Sequence, residues 1–213
     1  MRKLLLATTN RGKAREYREL LAGLPFLLTT LVDEGITFEV AEHESSFEGN
    51  ARLKATSYAA ASGLITLADD SGLEVDALNG EPGVHSARYA GDNATDAERV
   101  QYLLGKLSTV PQERRTACFR CVIALAENRE KVTVCYGSCD GSITFEPKGS
   151  NGFGYDPVFY LPEYGKTMAE LTSDVKNQVS HRGRAAREMY KVLKRYASLR
   201  GDRYGCQGCC SIF

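Results

Sequence analysis

The feature that most restricts how this chain can fold is a pair of neighbouring carboxylates, Asp69 and Asp70, that follows an apolar run. Residues 64–68 read as a buried strand, and the small residues after the pair, Ser71-Gly72, read as a turn. Two anions side by side repel each other unless a cation lies between them, and carboxylate oxygens are hard ligands that suit Mg²⁺. The pattern indicates either a metal site at a strand end or an Asp-Ser-Gly turn with solvated side chains, and the motifs described below favour the metal site.

The composition is sufficient for one domain with a full core, since hydrophobic residues make up 43% and charged residues 25% of the 213 positions. We expect a single domain over residues 1–200 and a disordered tail over residues 201–213, which show no periodicity. The tail ends in Cys210-Ser211-Ile212-Phe213, formally a lipidation signal, although chance cysteines in a dispensable tail explain it better.

The charge balance argues against polyanionic partners, because 27 Lys and Arg residues offset 27 Asp and Glu residues. No overall field therefore draws the protein to nucleic acid or to an anionic membrane. No apolar run approaches the ~20 residues of a membrane span, and the N-terminal run over residues 4–7 is too short for a signal peptide. We expect a cytoplasmic protein with no nucleic acid and no membrane as partners.

Helical and strand periodicities alternate along the chain, beginning with a strand over residues 3–7 and a helix over residues 11–24. A capping box, Thr95 with Glu98, marks the start of a later helix, and Asp140-Gly141 reads as a turn. The other predicted helices cover residues 47–62, 96–107 and 182–199, and the other predicted strands form an antiparallel meander over residues 116–126, 131–138 and 142–145.

The turn between the first strand and the first helix consists of Thr8, Thr9, Asn10, Arg11, Gly12 and Lys13. Free backbone N–H groups, the helix dipole and two cations meet there, as in a phosphate-binding site. The glycine pattern of the Walker sequence is missing, which disfavours a nucleotide kinase or a motor ATPase. The alternative is that Asn10 only caps the helix and that Lys13 is solvated.

Two later segments have the composition of a base-binding site. Gly149–Pro157 combines three glycines with Phe153 and Tyr155, and such a loop can approach a ligand closely and offer a ring for stacking. The alternative is a turn whose rings lie in the core. Lys176 and Ser180-His181-Arg182 lead into the last helix. Because cations are disfavoured at a helix N-terminus, a bound anion or acceptor-rich group would explain them, unless they are simply solvated.

Together these segments resemble the inosine triphosphate pyrophosphatases, which hydrolyse non-standard purine nucleoside triphosphates. The matching stretches follow the family's order and spacing, and they are residues 6–13, 68–73, 82–89, 152–157 and 180–182. The resemblance implies an α/β fold of two lobes around a mixed, elongated β-sheet flanked by helices, with the active site in the cleft and a homodimer as the assembly. It also implies Mg²⁺-dependent hydrolysis of the triphosphate to a monophosphate and pyrophosphate.

The resemblance further assigns roles by position in the matching motifs. Asp70 would be the general base and a metal ligand, and Asp69 and Glu42 would complete the Mg²⁺ site. Thr8, Asn10 and Lys13 would hold the triphosphate, and the other substrate-binding residues of these motifs would be Thr9, Arg11, Gly12 and Ser71. The purine would stack on Phe153 in a pocket completed by Gly154, Tyr155, Asp156, Lys176, His181 and Arg182. Donors in that pocket would favour the 6-oxo group of inosine and xanthosine over the amino group of adenosine.

The chain departs from the family pattern at Gly49, where a glutamate is common. If a carboxylate is needed at that position, activity would be weaker or Glu48 would substitute for it. Glu44 competes with Glu42 for the metal-ligand role, and we choose Glu42. The rival functions are a related pyrophosphatase of other modified or pyrimidine triphosphates, and a nucleotide-binding sensor with weak catalysis.

Overall fold

A mixed seven-stranded sheet forms the centre of the protein, whose computed structural model describes residues 1–201. Its strands are β1 (Arg2–Leu6), β2 (Phe26–Thr30), β3 (Ile65–Val75), β4 (Thr116–Ala126), β5 (Val132–Ile143), β6 (Phe159–Leu161) and β7 (Lys166–Thr167). They are arranged in the order β2-β1-β3-β4-β5-β6-β7. Strand β1 is parallel to both of its neighbours, and the other pairs are antiparallel.

Within residues 1–201 the α-helices are α1 (Arg11–Leu20), α2 (Phe47–Ser62), α3 (Asp96–Lys106), α4 (Ser173–Val179) and α5 (His181–Gly201). The capping box predicted at Thr95 is present at the start of α3. Helix α2 has the predicted bounds, and it ends at Gly63, which adopts a left-handed conformation with φ of 69°. The α/β fold with a mixed sheet and flanking helices is confirmed.

The alternation of side chains along β1 divides the core between the two faces of the sheet. Leu4 and Leu6 lie on one face, where they pack with α1 and α5. Leu5 lies on the other face, where it packs with the small residues Ala51 and Ala55 of α2. The alanine-rich sequence of α2 thus allows this helix to lie close to the sheet.

A third core cluster forms the second lobe. Strands β3, β4 and β5 have 11, 11 and 12 residues, so they extend from the first two clusters into the third. There Leu73 of β3 is buried with Leu103 of α3 and Phe159 of β6. The same long strands therefore carry side chains from one lobe to the other.

Two glycine-containing segments that were predicted to be turns lie inside strands. Ser71-Gly72 continues β3 and pairs with β4, and Asp140-Gly141 continues β5. An added Cβ at Gly72 would be 2.4 Å from the carbonyl oxygen of Gly83, and one at Gly141 would be 2.5 Å from that of Tyr160. These glycines permit close approach of neighbouring backbone rather than a turn. The Asp pair consequently lies in the middle of a strand and not at its end.

Among the strands and α-helices of residues 1–201, four were not predicted from the sequence, namely β2, β6, β7 and α4. No helix within residues 1–201 is long and apolar enough to cross a membrane. The cysteine-containing tail over residues 202–213 lies outside the described residues. Its expected disorder, the lipidation alternative and the domain boundary near residue 200 therefore stay predictions.

Candidate active site

The turn after β1 is held by hydrogen bonds that begin α1. Asn10 is the N-cap, and its Oδ1 accepts the N–H of Lys13 at 3.0 Å. The hydroxyl of Thr8 accepts the N–H of Asn10 at 3.2 Å. The side chain of Lys13 is 15% exposed, and its ammonium lies 3.1 Å from the carboxylate of Asp69. Asn10 thus caps the helix as one alternative predicted, but Lys13 points into the cleft instead of into solvent.

The two carboxylates of β3 lie on opposite faces of the sheet, because successive residues of a strand alternate. Asp69 faces α1 and α5, where it lies 3.1 Å from Lys13 Nζ and 3.3 Å from Arg182 Nη2. Burial alone would raise the pKa of Asp69, but Lys13 and Arg182 more than offset it and hold the pKa well below its ordinary value. Asp69 therefore does not join Asp70 in one metal site as expected, and two protein cations neutralise it.

Asp70 faces α2 and is 5% exposed. Its Oδ2 accepts a hydrogen bond from Nδ2 of Asn50 at 3.1 Å, and its Oδ1 accepts the N–H of Ser71 at 3.0 Å. Burial raises the pKa of Asp70 above its ordinary value, although Lys54 and Lys13 act in the opposite direction. A buried carboxylate with a raised pKa that lines a cleft is a candidate proton acceptor.

Glu42 and Asp70 lie on either side of the ammonium group of Lys54. Lys54 Nζ is 2.5 Å from Glu42 Oε1 and 3.8 Å from Asp70 Oδ1. A guanidinium nitrogen of Arg88 lies 3.9 Å from Glu42. The side chain of Glu44, the competing candidate, lies against Gly49 instead. Glu42, and not Glu44, is therefore the candidate that shares the ammonium of Lys54 with Asp70.

The chemistry of this pair fits a magnesium ion. Mg²⁺ is commonly bound by one or two carboxylates together with waters and substrate phosphates. Among residues 1–201 no group of three or more His, Cys, Asp or Glu side chains is placed to hold a metal ion by itself. The donor set of Glu42 and Asp70 thus fits an ion that is held jointly with a phosphate, in the region that Lys54 now neutralises.

Glu48 does not replace a carboxylate at Gly49. Its carboxylate accepts hydrogen bonds from Arg52 Nε at 2.6 Å and from the Tyr136 hydroxyl at 2.5 Å, and all three of these residues are exposed or partly exposed. This side chain is engaged at the surface, away from Asp70.

The ring of Phe153 lies between the turn after β1 and the segment that contains Lys176 and Arg182. It packs against Gly12, where an added Cβ would be 2.6 Å from a ring carbon. The ammonium of Lys176 lies 5.0 Å and the guanidinium carbon of Arg182 5.4 Å from the ring centre. Phe153 is only partly buried and lines the cleft, so it offers a flat surface at this wall.

Buried carboxylates neutralise Lys176 and Arg182. Glu16 of α1 lies 2.8 Å from Lys176 Nζ and 2.7 Å from an Arg182 nitrogen, and Asp156 also pairs with Lys176. Burial alone would raise the pKa of Glu16, but Arg182 and Lys176 lower it below its ordinary value. Lys176 of α4 and Arg182 of α5 therefore need no bound anion to explain them, contrary to the expectation, because Glu16, Asp69 and Asp156 supply the charge.

His181 is a buried neutral imidazole at the start of α5. Its ring stacks on Phe119 with 4.6 Å between the ring centres. Burial, together with the nearby charges of Arg182 and Lys176, lowers the pKa of His181 well below its ordinary value. Its Nδ1 has no hydrogen-bond partner among the described residues, and the side chain lines the cleft. This buried nitrogen is thus left unpaired at the wall of the cleft.

Hydrogen bonds hold the glycine-rich loop, residues 149–157, to α3 and to Ser86 in the second lobe. The N–H of Gly154 donates to Asp96 of α3 at 2.7 Å, and the hydroxyl of Tyr155 donates to the carbonyl oxygen of Ser86 at 3.0 Å. Asp156 accepts the N–H of Phe153 at 2.9 Å. Tyr155 and Asp156 are buried, so they support the loop more than they offer surface to a ligand.

Most of the predicted site residues meet in a single cleft. Those that line it are Asn10, Lys13, Glu42, Asp70, Ser71, Phe153, Gly154, Tyr155, Asp156, Lys176, His181 and Arg182. The structure places the others beside or behind it: Thr9 and Arg11 are exposed, Thr8 and Gly12 are partly buried, and Asp69 is buried below the surface.

Sequence reasoning missed several polar residues of the site, notably Glu16, Asn50, Lys54, Asp96 and Arg99. A signal existed for three of them. Glu16 follows Lys13 by three residues on α1, and Lys54 follows Asn50 by four on α2, so each pair shares a helix face. Asp96 and Arg99 line the cleft from α3, and nothing in their local sequence indicated that position.

Comparison with known proteins gives consistent matches over most of the chain. A sequence model of the Ham1 family matches residues 4–192. The chain is 48% identical over 193 residues to the dITP/XTP pyrophosphatase of Desulforamulus reducens, covering 91% of this chain and 96% of that protein. It is 52% identical over 185 residues to the dITP/XTP pyrophosphatase of Geobacter sulfurreducens, covering 87% and 93%. The structure of a HAM1 protein from Coxiella burnetii superposes with a TM-score of 0.84 at 45% identity, covering 92% of this chain and all of that one.

Proposed function

Since the chain belongs to the Ham1 family, we propose that it is a pyrophosphatase of non-standard purine nucleoside triphosphates such as dITP, ITP and XTP. The products are the nucleoside monophosphate and pyrophosphate, and the activity removes these nucleotides from the pool. The observation that carries the proposal is the cleft in which Lys13, Asp70 and the ring of Phe153 face a common space. This arrangement suits a ligand that combines a polyanion with a flat base.

The phosphate end of the substrate binds at the start of α1. The free N–H groups of the helix and the ammonium of Lys13 stabilise negative charge there. Thr8, Thr9, Asn10, Arg11 and Gly12 form the remainder of this turn, and Ser71 lies beside it on β3. Positioned donors that neutralise developing charge on the phosphates supply much of the rate enhancement in such reactions.

Asp70 acts as the general base. In this role its carboxylate accepts a proton from the attacking water as that water adds to phosphorus, and pyrophosphate leaves. Glu42 and Asp70 would hold a Mg²⁺ ion together with the substrate phosphates, and such an ion would supply positive charge that offsets the charge of the phosphates. Asp69 stays ionised and fixes Lys13 and Arg182, because its pKa is held low by these two cations.

The base end of the substrate stacks on Phe153. His181 Nδ1, which has no partner in the described protein, then bonds the edge of the purine. Lys176 and Arg182 contribute N–H donors toward the 6-oxo group, an acceptor that adenine lacks. Gly154, Tyr155 and Asp156 keep the loop in place.

The assembly and the location are further parts of the proposal. The family resemblance supports a homodimer. Among the described strands only β4 pairs with residues 132–141 of β5, which leaves a strand edge for a second chain. Light scattering of the purified chain should give twice the mass of 23.4 kDa that one chain has. Fractionation of the native cell should place the enzyme in the cytoplasm.

Product analysis across triphosphates tests the proposal. We expect Mg²⁺-dependent release of pyrophosphate, not of orthophosphate, with ITP, dITP and XTP as the preferred substrates. Asp70→Asn should lower kcat by about 10²- to 10⁴-fold, because a general base contributes that much. Glu163→Gln removes an exposed carboxylate from the surface and serves as the matched control, with unchanged kcat expected.

Other outcomes would point to the rival functions. Preference for pyrimidine or other modified triphosphates would replace the proposed substrate class. Tight nucleotide binding without turnover would indicate a sensor. Full activity of Asp70→Asn would remove Asp70 from the role of base.

A further inference from the structure

Asn50 is a buried amide that joins Asp70 to the segment that carries Glu42. It lies in the first turns of α2 and is 0% exposed. Its Nδ2 donates to Asp70 Oδ2 at 3.1 Å and to the carbonyl oxygen of Glu44 at 3.3 Å. Its Oδ1 accepts the N–H of Glu44 at 3.0 Å. One side chain thus satisfies both backbone groups of Glu44 and one oxygen of Asp70.

The partners of this amide determine its orientation. A carboxylate and a carbonyl oxygen require a donor, and a backbone N–H requires an acceptor. Turning the amide over would place Oδ1 against the carboxylate of Asp70 and the NH₂ group against the N–H of Glu44. Asn50 therefore has one arrangement that satisfies all three contacts.

The segment around Glu42 depends on such contacts for its position, because residues 36–44 have no regular secondary structure. The N–H of Val40, in the middle of the segment, donates to the hydroxyl of Tyr58 at 3.2 Å, and Arg88 donates to the carbonyl oxygen of Glu42 at 3.3 Å. The side chain of Arg88 is 36% exposed, whereas Asn50 is fully buried. Asn50 is thus the buried restraint at the end of the segment that precedes α2.

Gly49 allows the segment to lie this close to α2. An added Cβ at residue 49 would be 2.7 Å from Cβ of Glu44, much nearer than the separation of about 3.5–4.0 Å at which non-bonded carbon atoms rest. Any side chain at residue 49 would therefore push Glu44 away from the helix. Gly49 and the amide of Asn50 thus both determine how close Glu44 lies to α2.

We infer that Asn50, assisted by Gly49, is a positioning residue that sets the separation of the Glu42 and Asp70 carboxylates and so the affinity of the site for a divalent cation. The inference rests on the proposed roles of these two carboxylates. Groups that orient metal ligands change metal affinity or activity by about 10- to 100-fold when they are removed.

The test compares the full-length wild type with Asn50→Ala, Gly49→Ala and Ser46→Ala. Ser46 caps the same helix by accepting the N–H of Gly49 at 3.0 Å, so its loss weakens α2 by about 1 kcal/mol without removing the amide. Binding of Mn²⁺, which takes the same kind of oxygen ligands, is measured by electron paramagnetic resonance with and without added pyrophosphate, because the ion is proposed to be held jointly with phosphate. The Mg²⁺ dependence of kcat and the KM for ITP are measured in parallel.

We expect Asn50→Ala and Gly49→Ala to weaken Mn²⁺ binding and lower kcat by about tenfold or more at fixed Mg²⁺, with partial recovery at high Mg²⁺. The KM for ITP should change much less, and Ser46→Ala should bind Mn²⁺ like the wild type. Should Asn50→Ala fail to fold, Gly49→Ala decides the matter, since alanine favours helix.

Wild-type Mn²⁺ affinity in both variants, with kcat equal to that of Ser46→Ala, would overturn the inference and leave the proposed function intact. A wild type that neither binds Mn²⁺ nor releases pyrophosphate would overturn both.

Discussion

At the scale of single residues, Asp69 and Asp70 show how neighbours in sequence acquire opposite electrostatics. The strand directs Asp69 toward Lys13 and Arg182, which hold its pKa low. It directs Asp70 toward the buried face of α2, where burial raises the pKa. Two carboxyl groups whose environments separate their pKa values can take different roles, here a fixed anion and a proton acceptor.

The burial of His181 predicts a pH dependence of stability. Its pKa is lowered in the folded protein, so between that value and about 6.5 the unfolded chain binds a proton that the folded protein does not. The contribution of neutral His181 to the free energy of unfolding is fully present above about pH 6.5. It is lost as the pH falls, by about 1.4 kcal/mol per pH unit. His181→Asn should remove this part of the slope of the unfolding free energy.

Urea titrations at several pH values between 5 and 8 would measure the slope. His43→Asn, at a histidine whose side chain is 69% exposed, is the control and should keep the wild-type slope. Equal slopes for the wild type and His181→Asn would show that His181 does not couple folding to pH.

At the scale of elements, glycines in strands determine how closely the layers pack. Gly137 of β5 faces the start of α5, where an added Cβ would be 2.1 Å from the carbonyl oxygen of His181 and 2.6 Å from the N–H nitrogen of Ala185. Both are backbone atoms and cannot move aside independently. The absence of a side chain on β5 therefore places His181 and Arg182 against the sheet.

Alanine at two glycines should have opposite effects on stability. Gly137→Ala should lower the free energy of unfolding by about 1–3 kcal/mol, as overpacking does. Gly105→Ala in α3, where an added Cβ meets nothing within 4 Å, should raise it by about 0.5–1 kcal/mol. Chemical denaturation measures both, and a Gly137→Ala protein as stable as the wild type would refute the packing argument.

At the scale of the whole molecule, Arg115 ties the second lobe together. It is 1% exposed and donates to the carbonyl oxygens of Leu107 at 2.6 Å, Val110 at 3.0 Å and Thr144 at 2.9 Å. Its guanidinium lies 4.0 Å from the ring centre of Phe145. The guanidinium group of Arg115, just before β4, thus joins the residues after α3 to the residue after β5.

Removing the guanidinium group of Arg115 should destabilise the protein strongly. Arg115→Met removes a donor from three carbonyl oxygens, of which that of Leu107 keeps the N–H of Val110 at 2.9 Å. Each oxygen left unpaired costs about 1–3 kcal/mol where it stays buried. We expect the free energy of unfolding to fall by about 3 kcal/mol or more in urea titrations. Arg120→Met breaks an exposed pair with Glu74 and should cost about 1 kcal/mol or less. Similar losses in the two variants would contradict a special role for Arg115.

Much of the fold was predictable because its signals are local. The bounds of α2, the capping box of α3 and the long strand β4 follow from periodicity and capping over a few residues. Elements of two or three residues such as β6 and β7 carry no such signal and form only beside their partners. The role of a glycine could not be predicted from its local sequence. Turns were expected at Gly72 and Gly141, but these residues lie in strands and let neighbouring backbone approach closely.

The sequence by itself determined the order of the longer helices and strands, the residues of the turn after β1 and the motifs that identify the family. Tertiary structure alone decided which charges meet, because Asp69 and Arg182 are separated by 113 positions along the chain and Glu16 and Arg182 by 166. Coulomb interactions and burial depend on distance in space, which local spacing does not encode. For that reason only the folded chain shows that Asp69 and Asp70 have different surroundings. The same holds for the contact of Asn50 with Glu44.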